Sequence, residues 1–303
     1  MGKVKVLTAR QAADLIKDGD TVTLSGFVAN GIAEALNTAA EERFLETGHP
    51  KDLTLFWVAG TGNKDGSHAD HYAHEGMVKK VIGGHFNFVP KICEMLSENK
   101  IEGYNVPQGA IAQMLRDNAA HKVGTISHVG IGTFADPRNG GGRLSEKTKE
   151  DIVKVIELEG QEQLFYPRIP IDVAFIRGTY ADELGNITME KEMAPLDGTS
   201  QAMAVHNNGG LVVVQVERVV KAGHLDPKLV KIPGIYVDAV VECPADDPKQ
   251  SQSINCTYDP AYAGNTQVPV SSLEPKKLDA KKIIGRRAAM ELKKNVVVNL
   301  GVG

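Results

Sequence analysis

Four glycine-bearing turns carry the residue types through which this chain could do chemistry: Ser25-Gly26-Phe27-Val28-Ala29-Asn30-Gly31, Gly60-Thr61-Gly62-Asn63, Gly83-Gly84-His85 and Pro107-Gln108-Gly109. Each is placed just after a predicted strand. Glycine lets backbone approach a ligand closely, and the N–H groups that open the following helix can hold an anion such as a carboxylate. A single turn of this kind does no more than end a strand. Four of them point to one cleft, because ligands bind at the carboxyl ends of the strands in an open parallel sheet.

Other patterns lose on context. Gly130-Ile131-Gly132-Thr133-Phe134-Ala135 has the GxGxxA spacing of a dinucleotide-binding turn, yet Asp136-Pro137-Arg138-Asn139 and three glycines follow where a helix must begin. His68, His71 and His74, with Asp70 and Glu75 among them, are metal-ligating types, and on a helix His71 and His74 would share a face. The spacing is not that of zinc proteases, and such histidines commonly cap carbonyls or line a cleft, so no metal site is expected. A Walker lysine loop and a GxSxG elbow are both missing, which removes the usual signatures of phosphoryl transfer and serine hydrolysis.

The elements that must position the turns alternate along the chain. Leu53 to Val58, Val78 to Ile82, Val173 to Ile176 and Leu211 to Val216 read as strands, and Ala110 to Ala120 as a helix. Runs such as Leu211-Val212-Val213-Val214 suit strands buried on both faces, so an α/β fold is expected, with an open, mostly parallel sheet flanked by helices. Near the start, Thr8 is a good N-cap for a helix over Ala9 to Lys17, and strand Thr21 to Leu24 follows the turn Asp18-Gly19. The same order returns at the end, with Ala288 to Lys294 as helix, Asn295 as turn, Val296 to Val298 as strand and Gly301 in the place of Gly26. A period this long suggests two related halves, the second only entered. Between Cys243 and Lys277 lie five of the fourteen prolines with few apolar runs, the texture of a linker or excursion. The expected division is therefore 1–242, 243–277 and 278–303.

Composition narrows the ligand class. With 42% hydrophobic and 24% charged residues, the chain can build a full core and more than one domain. Its net charge of −4 without a long basic run argues against nucleic acid or an anionic membrane as partner. Three widely spaced cysteines imply neither a disulfide framework nor a zinc cluster. There is no apolar signal core, Val6 stands where a myristoylation signal wants Ser or Thr, and no run approaches a membrane span. A cytoplasmic location and a small-molecule ligand are expected.

Across nearly the whole chain, ordered segments resemble family I coenzyme A transferases, in particular the single-chain propionate or acetate members. They include Asp18-Gly19-Asp20-Thr21-Val22 leading to Ser25-Gly26-Phe27, Ala73-His74-Glu75-Gly76, and Tyr104-Asn105-Val106-Pro107-Gln108-Gly109-Ala110. Further matches are Gly130 to Phe134, Asp136 to Gly142, Arg177 to Ile187, Val214-Gln215-Val216-Glu217 and Val297 to Gly303. The resemblance implies two homologous α/β halves, fused or separate, with the active site between them.

It also implies ping-pong covalent catalysis, in which a glutamate of the second half, beyond Gly303, carries coenzyme A as a thioester. None of the glutamates here takes that role. On the same footing Gln108 holds the substrate carboxylate and then the oxyanion, Gly109 allows the approach, and Gly26, Phe27, Val28 and Asn30 wall the acyl pocket, with Phe27 and Val28 limiting chain length. Gly31, Gly60, Thr61 and Gly84 complete the implied substrate-binding set. Ser25 and Ala29 stand where family members carry further glycine. Coenzyme A enters as substrate, with no metal or other cofactor. The implied partners are acyl-CoA, short-chain carboxylic acids, the second half or a complementing chain, and further copies in a homo-oligomer. Two alternatives are a non-catalytic binding half and a sugar-phosphate-binding relative of the fold, the latter weakened by the lack of a lysine or arginine cluster beside the turns.

Overall fold

The computed structural model describes residues 2–299, which belong to two compact units, 1–264 and 265–303. The first unit is organised by one eight-stranded sheet. Its strands are β1 (Lys5–Leu7), β2 (Thr21–Leu24), β3 (Leu53–Trp57), β4 (Val78–Gly83), β5 (Glu102–Asn105), β6 (Val173–Arg177), β7 (Leu211–Val216) and β8 (Ala239–Glu242). The spatial order is β1-β8-β7-β6-β2-β3-β4-β5, and every neighbouring pair is parallel. From β2 the chain winds outward through β3 and β4 to β5; from β6 it winds the other way through β7 to β8. The reversal puts β2 beside β6, with Val22 opposite Val173, and such a switch point opens a crevice at the strands' carboxyl ends.

Five helices cover the two faces. Helices α1 (Ala9–Ala13), α2 (Glu34–Thr47) and α3 (Pro90–Ser97) pack with Val22, Leu55, Trp57, Phe175 and Val213. On the other face, α4 (Gln108–Ala119) and α5 (Gly198–Asn207) pack with Phe56, Ile82, Ile176, Val212 and Val214. Successive residues of a strand thus feed opposite cores, which is why the Leu211 run has no polar position. Burying each Val, Leu or Phe contributes about 1.5–3 kcal/mol, so these runs fix the register of the sheet. Two smaller sheets join the unit, one antiparallel over 124–127, 154–158 and 161–167, the other mixed over 180–182, 187–188, 218–220 and 230–232.

Local chemistry shifts several expected boundaries. Thr8 does cap α1: its Oγ1 accepts the Gln11 N–H at 3.1 Å while Gln11 Oε1 accepts the Thr8 N–H at 2.9 Å. The helix nevertheless stops at Ala13 rather than Lys17, because the Lys17 N–H turns to Asp20 Oδ2 at 2.8 Å and leaves the helical ladder. The expected boundary at residue 242 moves to 264. Gln215 Nε2 donates to Lys249 O at 2.9 Å and Gln250 Oε1 at 2.6 Å, Arg177 donates to Ser251 O, and Gln252 Nε2 donates to Lys191 O at 2.6 Å. Buried amides thus tie the proline-bearing stretch 243–264 to the first unit.

The second unit holds a 3₁₀ turn at Val270–Ser272 and α6 (Ala280–Ala289). Asp279 caps α6 by accepting the Lys282 N–H at 2.7 Å, so the helix begins well before the expected Ala288. Val296 to Val298 form no strand, since no neighbouring strand pairs with them among the described residues. Gly301 lies outside the described residues.

Candidate functional site

The four turns leave the carboxyl ends of β2, β3, β4 and β5, which are consecutive neighbours in the sheet, and they therefore stand side by side. The first turn is closed on itself. Phe27 and Asn30 exchange backbone hydrogen bonds at 2.9 Å each, Asn30 Nδ2 donates to Phe27 O at 3.1 Å, and Ser25 Oγ donates to Gly31 O at 2.6 Å. It is also clamped to the second turn, because the Val28 N–H donates to Gly60 O at 2.6 Å and the Gly62 N–H to Val28 O at 3.0 Å. Gly26 adopts φ +129°, and a Cβ there would collide with Ile32. Val28 holds φ +53°, a costly conformation for a β-branched residue, which the two clamping bonds maintain. Phe27 is 38% exposed, and Gly31 is buried beneath Leu196.

Contacts continue from turn to turn as far as Gln108. A Cβ on Gly60 would lie 2.5 Å from the His85 ring and 3.1 Å from Phe88. Gly60 and Thr61 are buried, so their place in the structure is to hold the first and third turns together. Trp57 Nε1 donates to His85 O at 3.1 Å, and the Val106 N–H and Asn105 Nδ2 both donate to Gly83 O at 3.0 Å. A Cβ on Gly84 would meet Val58 O, with Gln108 Cβ only 3.2 Å away. Gln108 and Gly109 are exposed at the first turn of α4, where no side chain caps the helix. The free N–H groups and the positive end of the helix dipole therefore adjoin the Gln108 amide, an arrangement suited to a carboxylate or oxyanion. Packing does not require glycine at 109, where a Cβ would meet nothing within 4 Å.

The histidines are arranged for charge pairing. His68–Tyr72 is a 3₁₀ turn and His74 lies beyond it, so the shared helical face does not form. His71 Nε2 instead lies 2.8 Å from Glu34 Oε1, His71 Nδ1 bonds Glu41, and His74 Nε2 lies 2.7 Å from Glu41 Oε1. Burial opposes a charge on His71, but hydrogen bonds and charge from Glu34 and Glu41 outweigh it and raise its pKa. Burial likewise works against the Glu41 carboxylate, and the two imidazoles overcome it, holding its pKa below the usual value. No group of three His, Cys, Asp or Glu suited to a metal occurs among the described residues. In the 130–143 loop, Asp136 accepts the Gly132 and Arg138 N–H groups at 2.9 and 3.0 Å, and only a 3₁₀ turn at Pro137–Asn139 follows. No helix opens there to receive a dinucleotide.

Sequence reasoning missed the floor of the crevice at the switch point. Arg177, the last residue of β6, pairs with Glu192 at 3.1 Å, and both side chains are almost fully buried. Burial raises the Glu192 pKa against the opposing pull of Arg177. The available signal was an arginine ending an apolar strand, Val173-Ala174-Phe175-Ile176-Arg177. Leu196, at φ +47° over Gly31, gave no signal at all, because its neighbour is far away in sequence.

A parallel sheet wound in both directions from β2 and β6, with the four turns side by side at the carboxyl ends of its strands, defines an α/β protein with a crevice at that end. The chain matches the coenzyme A transferase family over residues 6–243 and belongs to that family. It is 41% identical over 305 residues to acetate CoA-transferase YdiF of Escherichia coli K12, covering 100% of this chain and 56% of that protein. It is also 41% identical over 299 residues to caffeate CoA-transferase of Acetobacterium woodii, covering 99% and 57%. A crystal structure of the acyl-CoA transferase YdiF from Escherichia coli O157:H7, a thioester complex with CoA, superposes with a TM-score of 0.90 at 40% identity over 100% of this chain and 57% of that one. The chain spans about half the length of the curated relatives it matches. Among the described residues, no helix is long and apolar enough to cross a membrane.

Proposed function

We propose that this chain forms the acid-binding wall of a transferase that moves coenzyme A between a short-chain acyl-CoA, such as propionyl-CoA or acetyl-CoA, and a free carboxylic acid. The observation that carries this reading is the position of Gln108, exposed at an uncapped helix start, 3.2 Å from where Gly84 would place a Cβ. In this reading a glutamate carboxylate of the homologous second half attacks the acyl-CoA carbonyl. The C–S bond breaks, and a mixed anhydride and CoA thiolate result. The thiolate then attacks the glutamyl carbonyl, forms the enzyme thioester and releases the acid. A second acid runs both steps in reverse and leaves as its CoA ester, so the cycle is ping-pong.

Gln108 donates from its amide to the substrate carboxylate and to the oxyanion of each tetrahedral intermediate, as a neutral group that does not protonate the thiolate. Phe27 and Val28 set the depth of the acyl pocket. The covalent step gains support from the related YdiF, whose crystal structure is a thioester complex with CoA. No cofactor beyond coenzyme A as substrate is needed. The test is exchange between propionyl-CoA and acetate by this half joined to, or mixed with, the glutamate-bearing half. Parallel lines in initial-rate plots and trapping of the thioester by hydroxylamine are expected; intersecting lines with no trapped adduct would reject the mechanism.

A further inference from the structure

A cavity of about 580 Å³ is lined by Ala29, Ile32 and Glu34 after β2, by Asn63, Asp65, Ser67 and His68 after β3, and by the 246–257 segment anchored through Arg177. The reaction described above gives no role to His68. Its side chain is only 9% exposed, Nδ1 is shut away from water without a partner, and Nε2 lies 3.9 Å from Glu34 Oε2. His68 also holds φ +62°, a conformation that histidine adopts at some cost. Burial lowers its pKa against the pull of Glu34 and Asp65 and so favours the neutral ring, which with its proton on Nδ1 keeps a lone pair on Nε2.

The gap from Nε2 to Oε2 is too long for a hydrogen bond. It does suit one donor atom placed about 2.9 Å from each acceptor. Glu34 is already fixed from behind, with Oε1 at 2.8 Å from His71 Nε2 and Oε2 accepting the His68 N–H at 3.2 Å. Asp65 and Asp246 add further carboxylates to the lining, and Lys249 is its one lysine. Acceptors therefore dominate. No metal-binding set of three side chains is present among the described residues.

We propose that this cavity binds a small molecule through a primary ammonium group, which donates one N–H to His68 Nε2 and another to Glu34 Oε2. The proposal does not rest on the transferase reading, since His68 and Glu34 have no part in it, although Ala29 and Asn63 of the first two turns also line the cavity. The probe is ethylammonium chloride, titrated into the intact chain while the His68 ring resonances are followed by NMR at pH 7.5, with ethanol and potassium chloride as controls. A saturable shift with ethylammonium alone is expected. By calorimetry, His68→Asn, which tolerates positive φ, and Glu34→Gln should each weaken binding at least tenfold. Should Glu34→Gln fail to fold, His68→Asn decides the matter. The site is refuted by no saturable shift, by an equal response to potassium chloride or ethanol, or by unchanged affinity in His68→Asn, any of which leaves the gap to a bridging water.

Discussion

The glycine turns and the histidine segment adjoin each other after β3, yet they are held in place by different forces. The turns are held by backbone. Val28, Gly60 and Gly62 exchange main-chain hydrogen bonds, and glycines at 60 and 84 leave room for neighbouring turns to touch. The segment 68–74 is held by charge, with His71 between Glu34 and Glu41 and His74 on Glu41. At Gly60 and Gly84 an added Cβ would collide with its neighbours, whereas the segment 68–74 depends on the charges it pairs.

The largest expected effect tests the role proposed for Gln108. In the complete enzyme Gln108→Ala should lower kcat by about a hundredfold or more, with an unchanged melting curve, because a preorganised donor is lost from the developing oxyanion. Wild-type exchange in that variant would reduce Gln108 to a turn residue. Gly84→Ala tests the backbone side of the contrast. Its Cβ would meet Val58 O and crowd Gln108, so a loss of about 1–3 kcal/mol in stability should accompany a fall in kcat. Equal stability to wild type by chemical denaturation would show that the turns are not close-packed.

The charge-held region makes a prediction in pH. The His71 pKa is raised in the folded state, so its contribution is present below the ordinary imidazole value of 6.5 and is lost as pH rises through the raised value. The lowered Glu41 pKa acts in the opposite direction, contributing above its ordinary 4.5 and losing that contribution as pH falls through the lowered value. His71→Gln should therefore cost about 1–3 kcal/mol near pH 6 and less at alkaline pH, read from melting temperatures across pH 5–9. A cost that does not vary with pH would mean that shape, not charge, holds the segment.

The smallest expected effect lies at Val28. Trimming it to alanine should favour longer acids by roughly 0.8 kcal/mol, or about fourfold, for each substrate methylene newly buried. The readout is the ratio of kcat/KM for hexanoate over propionate. If the ratio stays constant in both Val28→Ala and Phe27→Ala while the variants remain folded, the acyl pocket lies away from this turn.

What the sequence revealed followed the same division. The parallel sheet and its turns were legible because their causes are local: apolar runs such as Leu211 to Val214, and glycines that interrupt them. Gln108 was singled out because the resemblance to coenzyme A transferases drew attention to a residue opening a predicted helix. The partners of His71 were not legible, since Glu34 and Glu41 lie some thirty residues earlier on another helix. The role of residues 243–264 was hidden for a related reason. Their proline-bearing composition signals a linker, whereas Gln250 and Gln252 are anchored by carbonyl and amide partners far away in the chain. Helix α6 was misplaced because Asp279 outcompetes the alanines at 288 and 289 as a starting point.

The meeting of β2 and β6 also bears on how the crevice comes into being during folding. The Thr21 N–H donates to Asp172 Oδ2 at 2.8 Å across 151 residues, whereas β2, β3, β4 and β5 can pair through short successive crossovers. Closing so long a loop costs entropy that local pairing does not, so the outward half of the sheet can assemble while the crevice has only one side. Until β6 arrives, the carboxyl end of β2 is an edge, and its apolar side chains are available to the wrong partner. A chain released before residue 177 would carry all four turns and still have no crevice.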